Sequence, residues 1–205
     1  MLIPWPLHPG RMPFRAFIAV DVGVRVDWSV LRAELAALDR GIRPVRPEQL
    51  HVTLRFLGDT DEGLVGDIER AMRAAVDGEP PFTVGLEDVG AFPSPRKARV
   101  VWLGMTGAEP MGRIAASLER SAVGLGFEPE GRPFRPHLTC ARVKSLGSGD
   151  RLAELVDRWR GHRFGEVRVG SIELKGSVLT PQGPIYRTVL EVPLVAEAVP
   201  ARPAG

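Results

Sequence analysis

Hydrophobic positions along the chain fall into two periods. Four segments repeat apolar residues every three or four positions, the spacing of one face of an α-helix. SVLRAELAALDRG (29–41) lines up Leu31, Leu35 and Leu38 and stops at Gly41. DEGLVGDIERAMRAAVDG (61–78) has acids in its first turn and a stripe through Leu64, Ile68, Met72 and Ala75, and Gly78 ends it. PMGRIAASLERSAVG (110–124) starts with a proline at a favoured first position and aligns Ile114 with Leu118. GDRLAELVDRWRG (149–161) uses Leu152, Leu155 and Trp159. Strand-like runs lie between them, at 15–22, 51–57, 82–90, 98–105, 137–143, 167–176 and 185–194.

The same pattern occurs twice. A shift of 86 positions carries His51 onto His137, segment 29–41 onto most of the third helix, and 61–78 onto the fourth. It also carries VGLEDVGAF (84–92) onto GSIELKGSV (170–178) and ARVVWLGM onto PIYRTVLE (184–191). One offset aligning five elements without a gap indicates an internal duplication. The mixture of helices and hairpins predicts an α+β fold, bilobal, with two antiparallel-rich sheets backed by helices around a central cleft. The domain is expected over 13–195, after a disordered extension at 1–12 and before a tail at 196–205.

Composition narrows the picture. In 205 residues, 44% hydrophobic and 25% charged content is ordinary for a soluble globular protein. No apolar run approaches the roughly 20 residues that span a bilayer, and the proline-broken MLIPWPLHPGR is a poor signal peptide. Cys140, the single cysteine, excludes an internal disulfide framework and a thiolate zinc site, and fits a reducing, cytoplasmic setting. Of 27 basic residues only Lys97, Lys144 and Lys175 are lysines, and the net charge is +2. Such mild basicity permits a nucleic-acid partner without demanding one.

Two short stretches carry the chemistry. In HVTLRFLG (51–58), alternation puts His51, Thr53 and Arg55 on one strand face, and Val52, Leu54 and Phe56 on the face that packs against helices. In RPHLTCARV (135–143), His137 and Thr139 share a face opposite Leu138 and Cys140. An isolated histidine is most often a satisfied bystander, as expected for His8 in the extension and His162 past a helix. Two His-x-Thr strands at equivalent points of a duplicated unit reverse those odds. Two histidines make half of a tetrahedral metal set; no cysteine or His-x-His pair supplies the rest, and Glu48 and Asp59 are weak substitutes, so neither metal nor cofactor is expected. Facing imidazoles suit general acid–base chemistry, in which one group takes a proton from water and the other gives one to a leaving alkoxide. Phosphodiester cleavage asks for both, with the threonine hydroxyls holding non-bridging phosphate oxygens. There is no Gly-x-Ser-x-Gly elbow, phosphate-cradling glycine loop or dinucleotide fingerprint.

The pair HVTL and HLTC, with RAFIAVDV, LRFLGD, RPHLTCAR and the closing GPIYRTVLEVPL, resembles the 2H phosphoesterases. Within them it is most similar to the RNA 2′,3′-cyclic phosphodiesterases, also called 2′–5′ RNA ligases, over residues 13–195. The resemblance implies metal-independent hydrolysis of RNA 2′,3′-cyclic phosphate ends, tRNA fragments included, to 2′-phosphomonoesters. Reverse 2′–5′ ligation belongs to the same implication. His51 would be the proton donor to the departing 3′ oxygen and His137 the base. Spacing alone leaves acid and base interchangeable. The resemblance also implies a phosphate contact from Arg142, which strict alternation would turn to the apolar face unless the strand ends or bulges after Thr139. Arg55, Arg132, Arg135 and Tyr186 are candidate RNA contacts, and the SPRKAR turn (94–99) is a weaker one. Two other readings stay open: a non-catalytic RNA-binding module, and an enzyme for a small cyclic phosphate such as ADP-ribose 1″,2″-cyclic phosphate. A monomer is expected, because the duplication already supplies a pseudo-twofold axis.

Overall fold

A computed structural model describes residues 13–23, 26–180 and 183–195. The expected extension, with His8, and the expected tail lie outside them. Among the described residues the chain forms β1 (Phe14–Asp21), α1 (Ser29–Leu38), β2 (Ile42–Pro44), β3 (His51–Thr60), α2 (Val65–Val76), β4 (Phe82–Phe92) and β5 (Val100–Thr106). It continues with α3 (Glu109–Gly124), β6 (Leu138–Val143), α4 (Gly149–Arg158), β7 (Arg163–Val169), β8 (Ser171–Thr180) and β9 (Gly183–Pro193).

The helical stripes are buried as their periodicity requires. Leu31 and Leu35, Ile68 and Met72, Ile114 and Leu118, and Leu152 and Leu155 are each at most 1% exposed. Truncating any one to alanine removes a contact worth about 2–5 kcal/mol.

Two antiparallel sheets carry the strands, in the orders β3-β1-β8-β9 and β2-β6-β5-β4-β7. The 86-residue offset maps β1 onto β5, β3 onto β6 and β4 onto β8. Both sheets therefore share one sequence of neighbours: histidine strand, opening strand, late strand. The late strand, however, comes from the opposite half of the chain. β8 sits beside β1, and β4 sits beside β5. This exchange ties the two lobes together through backbone hydrogen bonds.

The structure corrects the sequence reading in three places. The run 167–176 is two strands, β7 at the edge of one sheet and β8 inside the other, divided at Gly170, whose carbonyl accepts from the Leu194 amide at 2.8 Å. β2 is a further strand, three residues long and ending on a proline, too short to show a period. The third correction concerns β3. Thr53 lies opposite Ala19 and Arg55 opposite Ile18, so Leu54 is an extra residue; Leu57 is a second one, between Phe56 and Gly58. Each bulge reverses the alternation. Phe56, expected among the helix-packed residues, is 55% exposed, while Arg55, expected on the open face, is 4% exposed.

Arg55 uses its buried position to bind β3 to α3 and to the segment that follows it. Its Nε lies 2.6 Å from Oε2 of Glu119 on α3, an ion pair too bent to count as a hydrogen bond. One terminal nitrogen donates to Glu130 at 3.2 Å and to the Phe56 carbonyl, and the other donates to the Glu128 carbonyl at 2.5 Å. Arg55→Ala would strand two carboxylates against a desolvated site, and is expected to cost roughly 2–4 kcal/mol. Urea unfolding checks this: Arg55→Lys should recover only part of the loss, because an ammonium cannot reproduce the planar fork.

Candidate functional site

Both His-x-Thr strands open onto one groove of about 2200 Å³, lined by His51, Thr53, His137, Thr139, Arg142 and Tyr186 among others. Each imidazole is held in the same way. Nδ1 of His51 lies 2.7 Å from the carbonyl of Gln49, and Nδ1 of His137 lies 2.7 Å from the carbonyl of Arg135. A carbonyl only accepts, so both rings carry their proton on Nδ1. Nε2 of each is then the nitrogen left to face a reactant.

Local sequence explains the two carbonyls. Pro47 starts a 3₁₀ turn over Pro47–Gln49, after which the chain extends at Leu50. The side chain of Gln49 donates to the Pro184 carbonyl at 2.8 Å, fixing this turn against the start of β9. On the other side Pro136 disfavours a helical turn at Arg135, whose carbonyl meets the ring of His137. Aromatic side chains brace both imidazoles. Phe17 and Tyr186 lie 4.9 and 5.0 Å from His51, centroid to centroid, and Phe92 meets His137 edge-on at 5.2 Å. Phe92 rests in turn on Trp102, whose ring crosses β4 at Gly90, where a Cβ would collide with it.

Thr53 and Thr139 are half-buried in the groove, and among the described residues neither hydroxyl has a protein partner. Arg142 is on the groove face as well. Trp102 pairs with Thr139 and Val101 with Ala141, so Cys140 is an extra residue. This bulge after Thr139 buries Cys140 and Ala141 together and returns Arg142, exposed, to the side of Thr139. Burial pushes the Cys140 thiol up to about 12 and so makes it a packing group rather than a nucleophile.

The sites of the two lobes sense each other. Burial presses the imidazolium of His51 down to about 4; the Gln49 carbonyl and the Asp21 carboxylate oppose this, and the charges of Lys175 and Arg142 add to it. Arg142 belongs to the opposite lobe, so the two motifs converge. Lys175, missed in the sequence reading because it sits in an ordinary strand pattern, is 7% exposed beneath His51. Burial works against its charge, but Asp21 at 2.8 Å and Glu173 at 3.0 Å outweigh it and hold the ammonium above its usual range.

The other expected residues divide. Arg132 and Arg135 are exposed on the loop before β6 and line the groove, and Tyr186 lines it while packing on His51. Arg55 borders the groove, but its guanidinium is bound by the protein itself. In the 94–99 turn, Arg96 pairs with Asp150 at 2.7 Å, away from both histidines. Phe56 lines the groove in place of Arg55, at the position equivalent to Arg142 under the 86-residue offset. Among the described residues no three His, Cys, Asp or Glu side chains gather within reach of one metal ion.

Comparison with family models finds "LigT like Phosphoesterase" matching twice, at residues 19–102 and 105–186. The chain belongs to the LigT-like phosphoesterases. The two matches start 86 residues apart, the offset read from the sequence. An RNA 2′,3′-cyclic phosphodiesterase of Methanothermobacter thermautotrophicus is 43% identical over 183 residues, covering 88% of this chain and 98% of the relative. One of Archaeoglobus fulgidus is 38% identical over 175 residues, covering 84% and 96%. Among solved structures, TT0787 of Thermus thermophilus superposes with a TM-score of 0.70 at 30% identity, covering 89% of this chain and 99% of that one. E. coli LigT complexed with 3′-AMP gives 0.66 at 26% identity, covering 89% and 98%.

In this LigT-like phosphoesterase the folded-state pKa of His51 lies below the unfolded value of about 6.5. Stability from keeping the ring neutral is therefore present above pH 6.5 and lost as pH falls towards 4. Urea unfolding at pH 7 and pH 4.5 should show a larger loss for the wild type than for His51→Asn; equal losses would show that burial does not depress this histidine.

Proposed function

We propose that the protein hydrolyses RNA 2′,3′-cyclic phosphate ends to 2′-phosphomonoesters by metal-independent catalysis with two histidines. The carrying observation is that both imidazoles donate through Nδ1 to a carbonyl and line one groove with Nε2 left to exchange protons. A base and an acid addressing the same phosphorus are the minimum that hydrolysis of a diester requires.

In this reading His137 takes the proton of the attacking water as its oxygen bonds to phosphorus. His51 gives its proton to the 3′ oxygen as the phosphorus–O3′ bond breaks, and the phosphate stays on the 2′ oxygen. Thr53, Thr139 and Arg142 hold the non-bridging oxygens as negative charge grows on them. Arg132, Arg135 and Tyr186 are placed to meet the RNA. A 5′-hydroxyl in place of water would form a 2′–5′ linkage at the same centre. His51 can act as donor because a bound phosphate anion offsets Lys175 and Arg142, the two charges that depress it, and raises its affinity for a proton. The protein is read as a monomer of the cytoplasm, consistent with its buried, reduced thiol; no described helix is long and apolar enough to cross a membrane.

A short RNA ending in a 2′,3′-cyclic phosphate, incubated with the enzyme and EDTA, should yield the 2′-phosphate. His51→Ala and His137→Ala should each lower turnover by roughly 10²–10⁴. Wild-type turnover in either variant, or tight binding of the RNA without product, overturns the assignment. The pH–rate profile should be bell-shaped, since below the lower pKa of the pair no base remains and above the upper one no acid remains. In kcat/KM the acid limb should fall near pH 4, and in kcat it should move upward, because the bound anion favours imidazolium.

A further inference from the structure

Beyond the phosphate position, the groove wall formed by β2, β6 and the start of β5 carries charge that the protein does not balance. Arg43 on β2 lies directly opposite Arg142 on β6, and Arg142 lies opposite Val100, the residue after Arg99. Lys144 extends the same ladder, its amide donating to the Gly41 carbonyl at 2.9 Å beside Arg40. All five cations are exposed and line the groove. Like charges directly opposite one another weaken a sheet. Exposed arginines elsewhere, such as Arg73, Arg113 and Arg158, are relieved by carboxylates. Among the described residues these five have no carboxylate partner, and the acids nearest in the groove, Glu119 and Glu130, are turned to Arg55.

We infer that this wall binds phosphodiesters on the 5′ side of the cyclic end, so that the enzyme prefers RNA strands to mononucleotides. The inference rests on the activity proposed above. A 2′,3′-cyclic phosphate is by its chemistry the 3′ terminus of a strand, so every further phosphate of the substrate lies 5′ of it. The wall starts at the phosphate position: the bulge at Cys140 sets Arg142 on the face of Thr139, and Arg43 leads from it to the open sheet edge. With strands about 4.8 Å apart, the cations span roughly 10 Å, a track of backbone charges rather than a pocket for one anion. Guanidinium groups suit such a track because their planar forks bind phosphate in pairs of hydrogen bonds.

The test compares kcat/KM for a nucleoside 2′,3′-cyclic monophosphate and a four-nucleotide RNA ending in the same cyclic phosphate, over a range of salt concentrations. The tetranucleotide should be favoured about tenfold or more at low salt, with an advantage that falls with a log–log slope of about −0.7 per phosphate contact. Arg43→Gln, on an exposed edge strand, should cut kcat/KM for the tetranucleotide about fivefold, mainly through KM, and leave the mononucleotide within about twofold. Equal kcat/KM for the two substrates in the wild type, or equal losses on both in Arg43→Gln, refutes the inference and gives the wall to some other polyanion, while the hydrolytic activity stands. If the wild type turns over neither substrate, the activity itself is refuted and the strand track falls with it.

Discussion

Two hydrogen bonds of one kind decide what this groove can do. A carbonyl two residues upstream accepts a hydrogen bond from Nδ1–H of each histidine, at 2.7 Å in both lobes. This fixes the tautomer, fixes the ring plane and leaves Nε2 as the only atom that can gain or lose a proton. Proton transfer depends steeply on distance and direction, so a pair of freely rotating imidazoles would be a poor acid and base. The prolines before each motif, the Gln49–Pro184 contact, and the aromatic rings of Phe17, Tyr186 and Phe92 all serve that restraint.

Duplication supplied the symmetry, bulges included, and the side chains beyond them then broke it. An extra residue follows the threonine in both lobes, Leu54 in one and Cys140 in the other. Two positions beyond each extra residue, one lobe offers the exposed ring of Phe56 and the other the guanidinium of Arg142. A near-twofold scaffold thus presents an apolar ring and a cation to one groove from equivalent positions. The positions next to the extra residues have diverged as well: Ala141 packs, and Arg55 locks β3 onto α3. The surroundings also depress the His51 imidazolium, first through burial and then through the charges of Lys175 and Arg142.

Much of this was legible in the sequence, for physical reasons that particular residues make plain. The four helices show because Leu31, Ile68, Ile114 and Leu152 recur at helical spacing with their neighbours, and tertiary packing buries that stripe. The paired motifs show because one offset relates His51 to His137. The faces of Arg55 and Phe56 were misread because a bulge adds a residue without changing composition, and period-2 reasoning inverts beyond it. Arg142 was left undecided for the same reason. The division at Gly170 did leave a trace: Val167 and Val169 alternate in one phase and Ile172 and Leu174 in the other, so the apolar period slips at the glycine where the chain passes between sheets. The exchange of β4 and β8 between lobes is a matter of long-range pairing, on which local pattern is silent.

The central claim is that both imidazoles address one phosphate. The direct measurement is the ¹⁵N shift of Nε2 of His51 and His137 during titration with a nucleoside 2′-phosphate at fixed pH. The account predicts that both signals move together towards imidazolium, saturating with a single dissociation constant. Movement of one ring alone, or two unrelated dissociation constants, would contradict it.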